Sequence, residues 1–236
     1  MRQIEKVSKK LWGLLVMIKI ENTEVVGWEA AIRGMRNPMN SWEKSDSEYA
    51  INMVNDSNDP ICAYIGPSDY DLMMRLAKAG STHAKYRRMI TVYCDIIAPL
   101  YWWKEFDTYK VGTVANSCST MHKITEKEFT IDDFSHEHLS VISMEGLKKL
   151  IEYLEVLRTA YLSAKDGDEY AGMNKKDIWW QMIQLLPSSY NQRRTVMLNY
   201  EVLAGIYRDR RNHKLDEWRD FCKWIESLPY SEIIAA

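Results

Sequence analysis

Pro187 divides the last third of the chain, and the stretch that follows it constrains the fold more than any other. Proline and the residue before it both resist the α region, so a helix carrying Leu185 and Leu186 ends there. Ser188 or Ser189 can cap a new helix by accepting from free backbone N–H groups. Val196, Leu198, Leu203, Ile206 and Tyr207 follow, and their spacing predicts a helix over 190–211. On it, Asn199, Leu203, Ile206 and Arg210 fall at i, i+4, i+7 and i+11. That separation is close to three full turns, so an amide, two apolar side chains and a guanidinium share one face. Such a face suits a planar heterocycle with carbonyl and imide edges, or simply an amphipathic helix whose charged end is solvated. Arg193 and Arg194 lie just behind the cap. A helix N-terminus beside two cations is a ready anion site; the plainer reading is two exposed arginines.

The rest of the chain reads as alternating strands and helices. In Lys85–Ile97, Ile90, Val92, Cys94 and Ile96 alternate with Met89, Thr91, Tyr93 and Asp95, which predicts a strand with one buried face. Pro99 opens an aromatic helix through Leu100–Asp107. Residues 12–20 predict a strand, and Trp28–Met35 a short helix carrying Arg33, with Arg36 just past its end. Asn37–Pro60 reads as loop with a helical turn near Tyr49–Val54. Pro67-Ser68-Asp69-Tyr70-Asp71 reads as a capping box ahead of Leu72–Ala77, with Gly80 as the stop. His122–His138 is polar and irregular. Ser143–Ala164 has the period of a long amphipathic helix, broken by Asp166-Gly167-Asp168. Asn174, with Asp177 three residues on, caps a helix through Ile178, Met182 and Leu186. Leu215–Leu228 is a last helix presenting Trp218, Phe221, Trp224 and Ile225. With no repeat or linker in sight, these elements predict a single α+β domain over residues 1–236. Its central sheet would hold the 85–97 strand, covered by the long helices 143–164 and 190–211.

Composition removes several functions. A net charge of −2 over 236 residues offers no basic field for duplex nucleic acid. The apolar run at 11–20 is too short to span a bilayer and lacks a small-residue cleavage site, so no membrane partner is expected. Cys62, Cys94, Cys118 and Cys222 are scattered, which fits neither zinc nor a disulfide framework and points to the cytoplasm. Cys118 and His122 are an i, i+4 pair, but no nucleophilic triad stands out. His136 and His138, with Asp133 and Glu137, lack a third ligand at defined spacing and read as solvated loop, so no metal is expected.

Two regions together resemble the flavin-dependent thymidylate synthases. Leu186-Pro187, Asn199, Leu203 and Arg210 match that family's C-terminal pattern without a gap. The order helix, Gly80, strand, Ala98-Pro99 and aromatic helix matches what precedes its signature motif. The resemblance covers roughly residues 68–122 and 185–218. It implies a homotetramer whose sites draw on several subunits. It also implies methylation of dUMP, with FAD supplying hydride and methylenetetrahydrofolate supplying carbon as cosubstrate. Catalysis of that kind is positioning and electrostatics, with no covalent protein nucleophile.

Carried over residue by residue, the resemblance makes Arg210 the nucleotide reader, with Ser119 and Glu105 as further substrate contacts. Asn199, Thr108, Tyr109 and Lys110 fall on the cofactor positions. The departures are specific. Thr108-Tyr109-Lys110 stands where the family has Arg-His-Arg, Glu105 where it has Gln, and Met121 where it has Arg. Asn116 and Ser119 align only with one extra residue. Glu201 and Gly205 replace an Arg and an Asn, and Ile183 falls on a phosphate-binding Arg. These changes remove charge or donors that a phosphate needs. Weak or absent FAD binding follows, with Arg193 and Arg194 as candidates to replace the missing arginine. Two readings therefore stand: a diverged member acting on a deoxypyrimidine nucleotide, or a non-catalytic nucleotide-binding protein of the same fold. In either, Arg210 is expected to face a pocket shared with Ser119 and the end of the Leu100–Asp107 helix.

Overall fold

The computed structural model describes residues 17–49, 63–165 and 169–236. Its strands are β1 (Lys19–Val26), β2 (Glu48–Tyr49), β3 (Ala63–Tyr64), β4 (Thr91–Pro99), β5 (Val114–Ser117) and β6 (Asn191–Asn199). Four of them form one sheet in the order β1-β4-β6-β5, and β2 pairs antiparallel with β3. The longer helices are Trp28–Arg36, Pro67–Lys78, Val141–Ser163, Lys175–Leu185, Tyr200–Arg210 and Asp216–Glu226. The fold class is α+β, as expected. The expected strand at 12–20 starts only at Lys19 among the described residues, and its first part, 12–16, lies outside them. The 50–54 part of the expected turn near Tyr49–Val54 and the break at 166–168 also lie outside them.

β4 is interior to the sheet, and it buries one face as its alternation predicts. Ile90, Val92, Cys94 and Ile96 are buried, while Met89 and Tyr93 are exposed. The strand begins at Thr91 rather than Lys85, because Lys85–Met89 is a 3-10 turn. Tyr86 and Arg87 are both buried there, and two adjacent inward side chains cannot be met by a period of two.

The larger correction concerns 190–211. Residues 191–199 are strand β6, and the helix begins only at Tyr200. Val196 and Leu198 are buried at alternate positions after β-branched Thr195, a strand period that the helical spacing had masked. Ser188 and Ser189 cap no helix. The Ser188 and Tyr190 carbonyls accept from the Tyr101 and Leu100 N–H groups, both at 3.0 Å. The cap is Asn199, whose Oδ1 accepts from the N–H of Glu201 at 3.1 Å and of Val202 at 3.0 Å.

The chain passes between two compact units. Among the described residues, one comprises those up to Lys19, with Ile97–Phe106 and Ser117–Arg193. In it, the Val141–Ser163 helix starts at Ser140, whose Oγ accepts from Ser143 N–H at 3.2 Å. The Asn174–Asp177 capping box opens the next helix, as predicted. Leu147, Ile151, Leu154 and Leu157 of the first helix share a core with Ile178 and Met182 of the second. Removing each such side chain from water contributes about 1.5–3 kcal/mol.

The second unit comprises Ile20–Ile96, Asp107–Asn116 and Arg194–Ala236. Its first helix follows Gly27 at φ 94, where an added Cβ would lie 2.1 Å from the Met89 carbonyl oxygen; only glycine fits. Arg36 is the last residue of that helix rather than past its end. The Pro67–Lys78 helix begins at Pro67 itself, where the Asp46 carboxylate accepts from the Ser68 and Asp69 N–H groups at 2.8 and 3.0 Å, and ends before Gly80 as expected. Asp69 is therefore no capping-box member. It is fully buried and accepts from Arg36 Nε at 2.6 Å, Ser47 Oγ at 2.6 Å and Ser45 Oγ at 2.8 Å.

Candidate functional site

Several of the predicted site residues meet in the second unit, on the segment Asp107–Asn116 and the chain from Arg194 to Trp218. The segment is held at three points. At its start, Arg194 Nη1 donates to Asp107 Oδ1 at 2.7 Å. In the middle, the Tyr109 hydroxyl accepts from Arg210 Nε at 2.9 Å. Further on, Gly112 adopts φ 75, and a Cβ there would lie 2.8 Å from Asn199 Nδ2 and 3.1 Å from a Val202 methyl. Glycine is needed both for the left-handed backbone and for this close approach. The neighbouring Thr113 hydroxyl is buried and finds no hydrogen-bond partner among the described residues.

Arg210 is not a solvated surface residue. It is the last residue of the Tyr200–Arg210 helix, on the side that buries Leu203 and Ile206. Its guanidinium carbon lies 4.8 Å from the centre of the Trp218 ring and 5.7 Å from that of Tyr109. Those two rings meet edge to face at 6.0 Å. Cation–π attraction of this kind is worth about 0.5–2 kcal/mol and holds the guanidinium plane in place. His213 adds a polar neighbour: its Nε2 is 3.0 Å from Arg210 Nη1, and its Nδ1 lies 3.2 Å from the Leu215 N–H. A neutral imidazole accepts at one nitrogen only. His213 can thus satisfy Leu215 or Arg210, while Tyr109 and Trp218 hold Arg210 in either tautomer. His213 and Trp218 were missed as site residues. The i, i+3 spacing from Arg210 to His213 was the available signal, and Trp218 read simply as a packing face.

The other candidates divide between the units. Asn199 is close to the Asp107–Asn116 segment, but its oxygen is engaged as the helix cap rather than presented on a helix face. Thr108 and Lys110 are exposed, and Tyr109 is half-buried. Arg193 and Arg194 lie on a strand, so the expected anion site at a helix N-terminus does not form. Arg193 is exposed, and Arg194 is paired to Asp107. Glu105, half-buried near the end of the Leu100–Phe106 helix, and Ser119, exposed, belong to the first unit.

Sulfur and imidazole chemistry gain no support. Burial pushes the Cys94 thiol up to about 12, with Asp95 adding to it, and burial pushes Cys222 up to about 11. Thiols so raised hold too little thiolate to be nucleophiles near neutrality. Cys118 and His122 are both exposed. No group of three metal-ligating side chains occurs among the described residues. Among those residues, too, no helix is long and apolar enough to cross a membrane.

No protein-family model matches the chain, and no curated protein matches it by sequence. Solved structures do. A crystal structure of thymidylate synthase X (ThyX) from Helicobacter pylori with FAD and dUMP superposes with a TM-score of 0.63 at 14% identity, covering 93% of this chain and 100% of that one. A flavin-dependent thymidylate synthase ThyX from the same organism, complexed with FAD and dUMP, gives 0.61 at 14% identity, covering 92% and 98%. The chain has the fold of the flavin-dependent thymidylate synthases, in agreement with the resemblance read from its sequence.

Proposed function

We propose that the chain is a diverged flavin-dependent thymidylate synthase-like protein that binds a deoxypyrimidine nucleotide, with Arg210 as the reader. One observation carries this reading. Arg210 is an oriented guanidinium, stacked on Trp218 and bonded to Tyr109, at a position that matches the family's nucleotide-reading arginine. The fold adds support, since the Helicobacter pylori proteins that share it were crystallised with FAD and dUMP. A guanidinium gives two parallel hydrogen bonds to carbonyl oxygens or a phosphate, which an ammonium cannot. In this proposal residues 1–236 work as a single domain, assembled as a homotetramer in the cytoplasm.

The residues at the flavin positions do not fit FAD. A pyrophosphate needs several charged or N–H donors. Thr108 offers a hydroxyl and Lys110 one charge. The Tyr109 hydroxyl already accepts from Arg210, Arg194 is paired with Asp107, and the Asn199 oxygen is held by two backbone N–H groups. That shortage favours nucleotide binding without flavin chemistry. Methylation of dUMP with methylenetetrahydrofolate and FAD is the second reading, supported by the fold. A purified protein that is yellow with stoichiometric FAD would reverse the order of the two.

Calorimetry with dUMP, then with other pyrimidine nucleotides, tests the role of Arg210. Arg210→Lys should weaken binding by about 1–3 kcal/mol, the effect of leaving buried polar partners unpaired, with little change in folding. Equal affinities for a nucleotide that does bind would remove Arg210 from the site. Light scattering that gives a monomer at micromolar concentration would remove the tetramer.

A further inference from the structure

The Tyr200–Arg210 helix has a second side. Leu203, Ile206 and Arg210 follow one stripe, whereas Glu201, Ala204, Gly205 and Arg208 follow another, continued by Arg211 just past the helix. That second stripe lines a cavity of about 480 Å³ within the same unit, together with Ala77, Gly80 and Arg87. The side chains there include three arginines and one glutamate, and Arg208 Nε also donates to Asp209 Oδ1 at 3.0 Å.

Arg87 is the unusual member. It is 4% exposed, deep for an arginine, and its ion-pair contact is a long one, Nη1 to Glu201 Oε2 at 3.6 Å. Its Nε and Nη2, and the Glu201 Oε2 itself, find no hydrogen-bond partner among the described residues. A buried N–H left without an acceptor is destabilising, and a buried charge more so, unless something supplies oxygen atoms. Arg208 and Arg211, both exposed, stand at the same cavity. Guanidinium groups converging on small walls of alanine and glycine suit an oxyanion, because each can offer two parallel N–H donors to adjacent oxygens.

We infer that this cavity is an oxyanion site for a phosphate group, separate from the place where Arg210 reads a nucleotide. Arg87 supplies the buried donors, Arg208 and Arg211 close over the anion, and Glu201 orients Arg87. The space admits inorganic phosphate or the phosphate end of a small monoester. The site does not depend on the nucleotide-binding proposal.

Calorimetry with inorganic phosphate, and in a second arm with glycerol phosphate, at constant ionic strength tests this. The wild-type protein is expected to bind phosphate saturably, and tighter binding of the ester would identify it as the better ligand. Arg208→Gln with Arg211→Gln, at exposed positions where folding is little affected, should weaken binding about tenfold or more, the effect of losing charge-assisted hydrogen bonds. Arg87→Gln should abolish it; should that variant fail to fold, the rim double variant decides. Arg210→Lys should bind phosphate as the wild type does. Absence of saturable binding, equal binding by wild type and rim variant, or loss of phosphate in Arg210→Lys alone would each overturn the inference. The last result would assign the anion to the nucleotide site instead.

Discussion

Two buried arginines of the second unit, Arg36 and Arg87, have opposite surroundings. Arg36 donates through Nε to Asp69 at 2.6 Å, through Nη2 to Ser68 Oγ at 2.9 Å, and through Nη1 to the Ser41 carbonyl at 3.2 Å. Its partner Asp69 accepts further bonds from Ser45, Asp46 and Ser47. Arg87 has a carboxylate at 3.6 Å, and its Nε and Nη2 find no hydrogen-bond partner among the described residues. A closed network of the first kind holds the fold, since every desolvated donor is met. An open one beside a cavity is the arrangement on which the proposed oxyanion site rests. The contrast teaches that burial of a charge does not by itself mark structure or function; the completeness of its hydrogen bonding does.

Breaking the closed pair should have the largest effect. Asp69→Asn removes the charge that compensates Arg36, and is expected to destabilise the protein by about 3–5 kcal/mol, read as a shift of the urea midpoint. A loss below about 1 kcal/mol would erase the distinction between the two arginines. The same carboxyl also sets an acid limit. Burial alone would raise it, but hydrogen bonds from Ser47, Arg36 and Ser45 outweigh burial and hold it below its ordinary 3.8. The stability it contributes is fully present above that ordinary value and is lost as pH falls through the folded one. Acid unfolding of the wild type should therefore carry a component below about pH 4 that Asp69→Asn lacks. Identical acid profiles would show that Asp69 is not the group responsible.

A third arginine sharpens the scale. Arg210 donates through Nε to the neutral Tyr109 hydroxyl, so Tyr109→Phe should destabilise the fold by only about 1 kcal/mol, the net value of one hydrogen bond, measured by thermal unfolding. The smallest effect is expected for Glu201→Gln. Its contact with Arg87 is long, at 3.6 Å, so less should be lost than when the closely paired Asp69 charge is removed. A loss as large as that of Asp69→Asn would make Arg87–Glu201 a structural pair and weaken the case for the anion site.

Much of the fold was legible because one-dimensional periods carried it. The 143–164 stripe, the Asn174 box and the buried alternation of β4 all follow from local spacing, and local hydrogen bonds enforce them. The strand at 191–199 was hidden because Val196, Leu198, Leu203 and Ile206 satisfy a helical period when strand and helix are read as one run. The join sits at Asn199, which serves as cap and strand end together. Glu48–Tyr49 and Ala63–Tyr64 pair across a chain separation that no local pattern reveals.

The sequence by itself determined the fold class and the placement of most helices, and it singled out Arg210 as a candidate. These depend on amphipathic period, on proline and glycine stops, and on a resemblance carried by residue identity. Tertiary structure alone decided what each charged side chain does. Arg36 and Arg87 look alike along the chain, and so do Asp69 and Glu201. Asp69 lies 33 residues from Arg36 along the chain, on a different helix, and only folding brings them together. The same holds for Tyr109 and Arg210, which are 101 residues apart and joined at 2.9 Å. Charge and hydrogen-bond satisfaction are set by distances of a few ångströms in space, and those distances arise only once the core has closed.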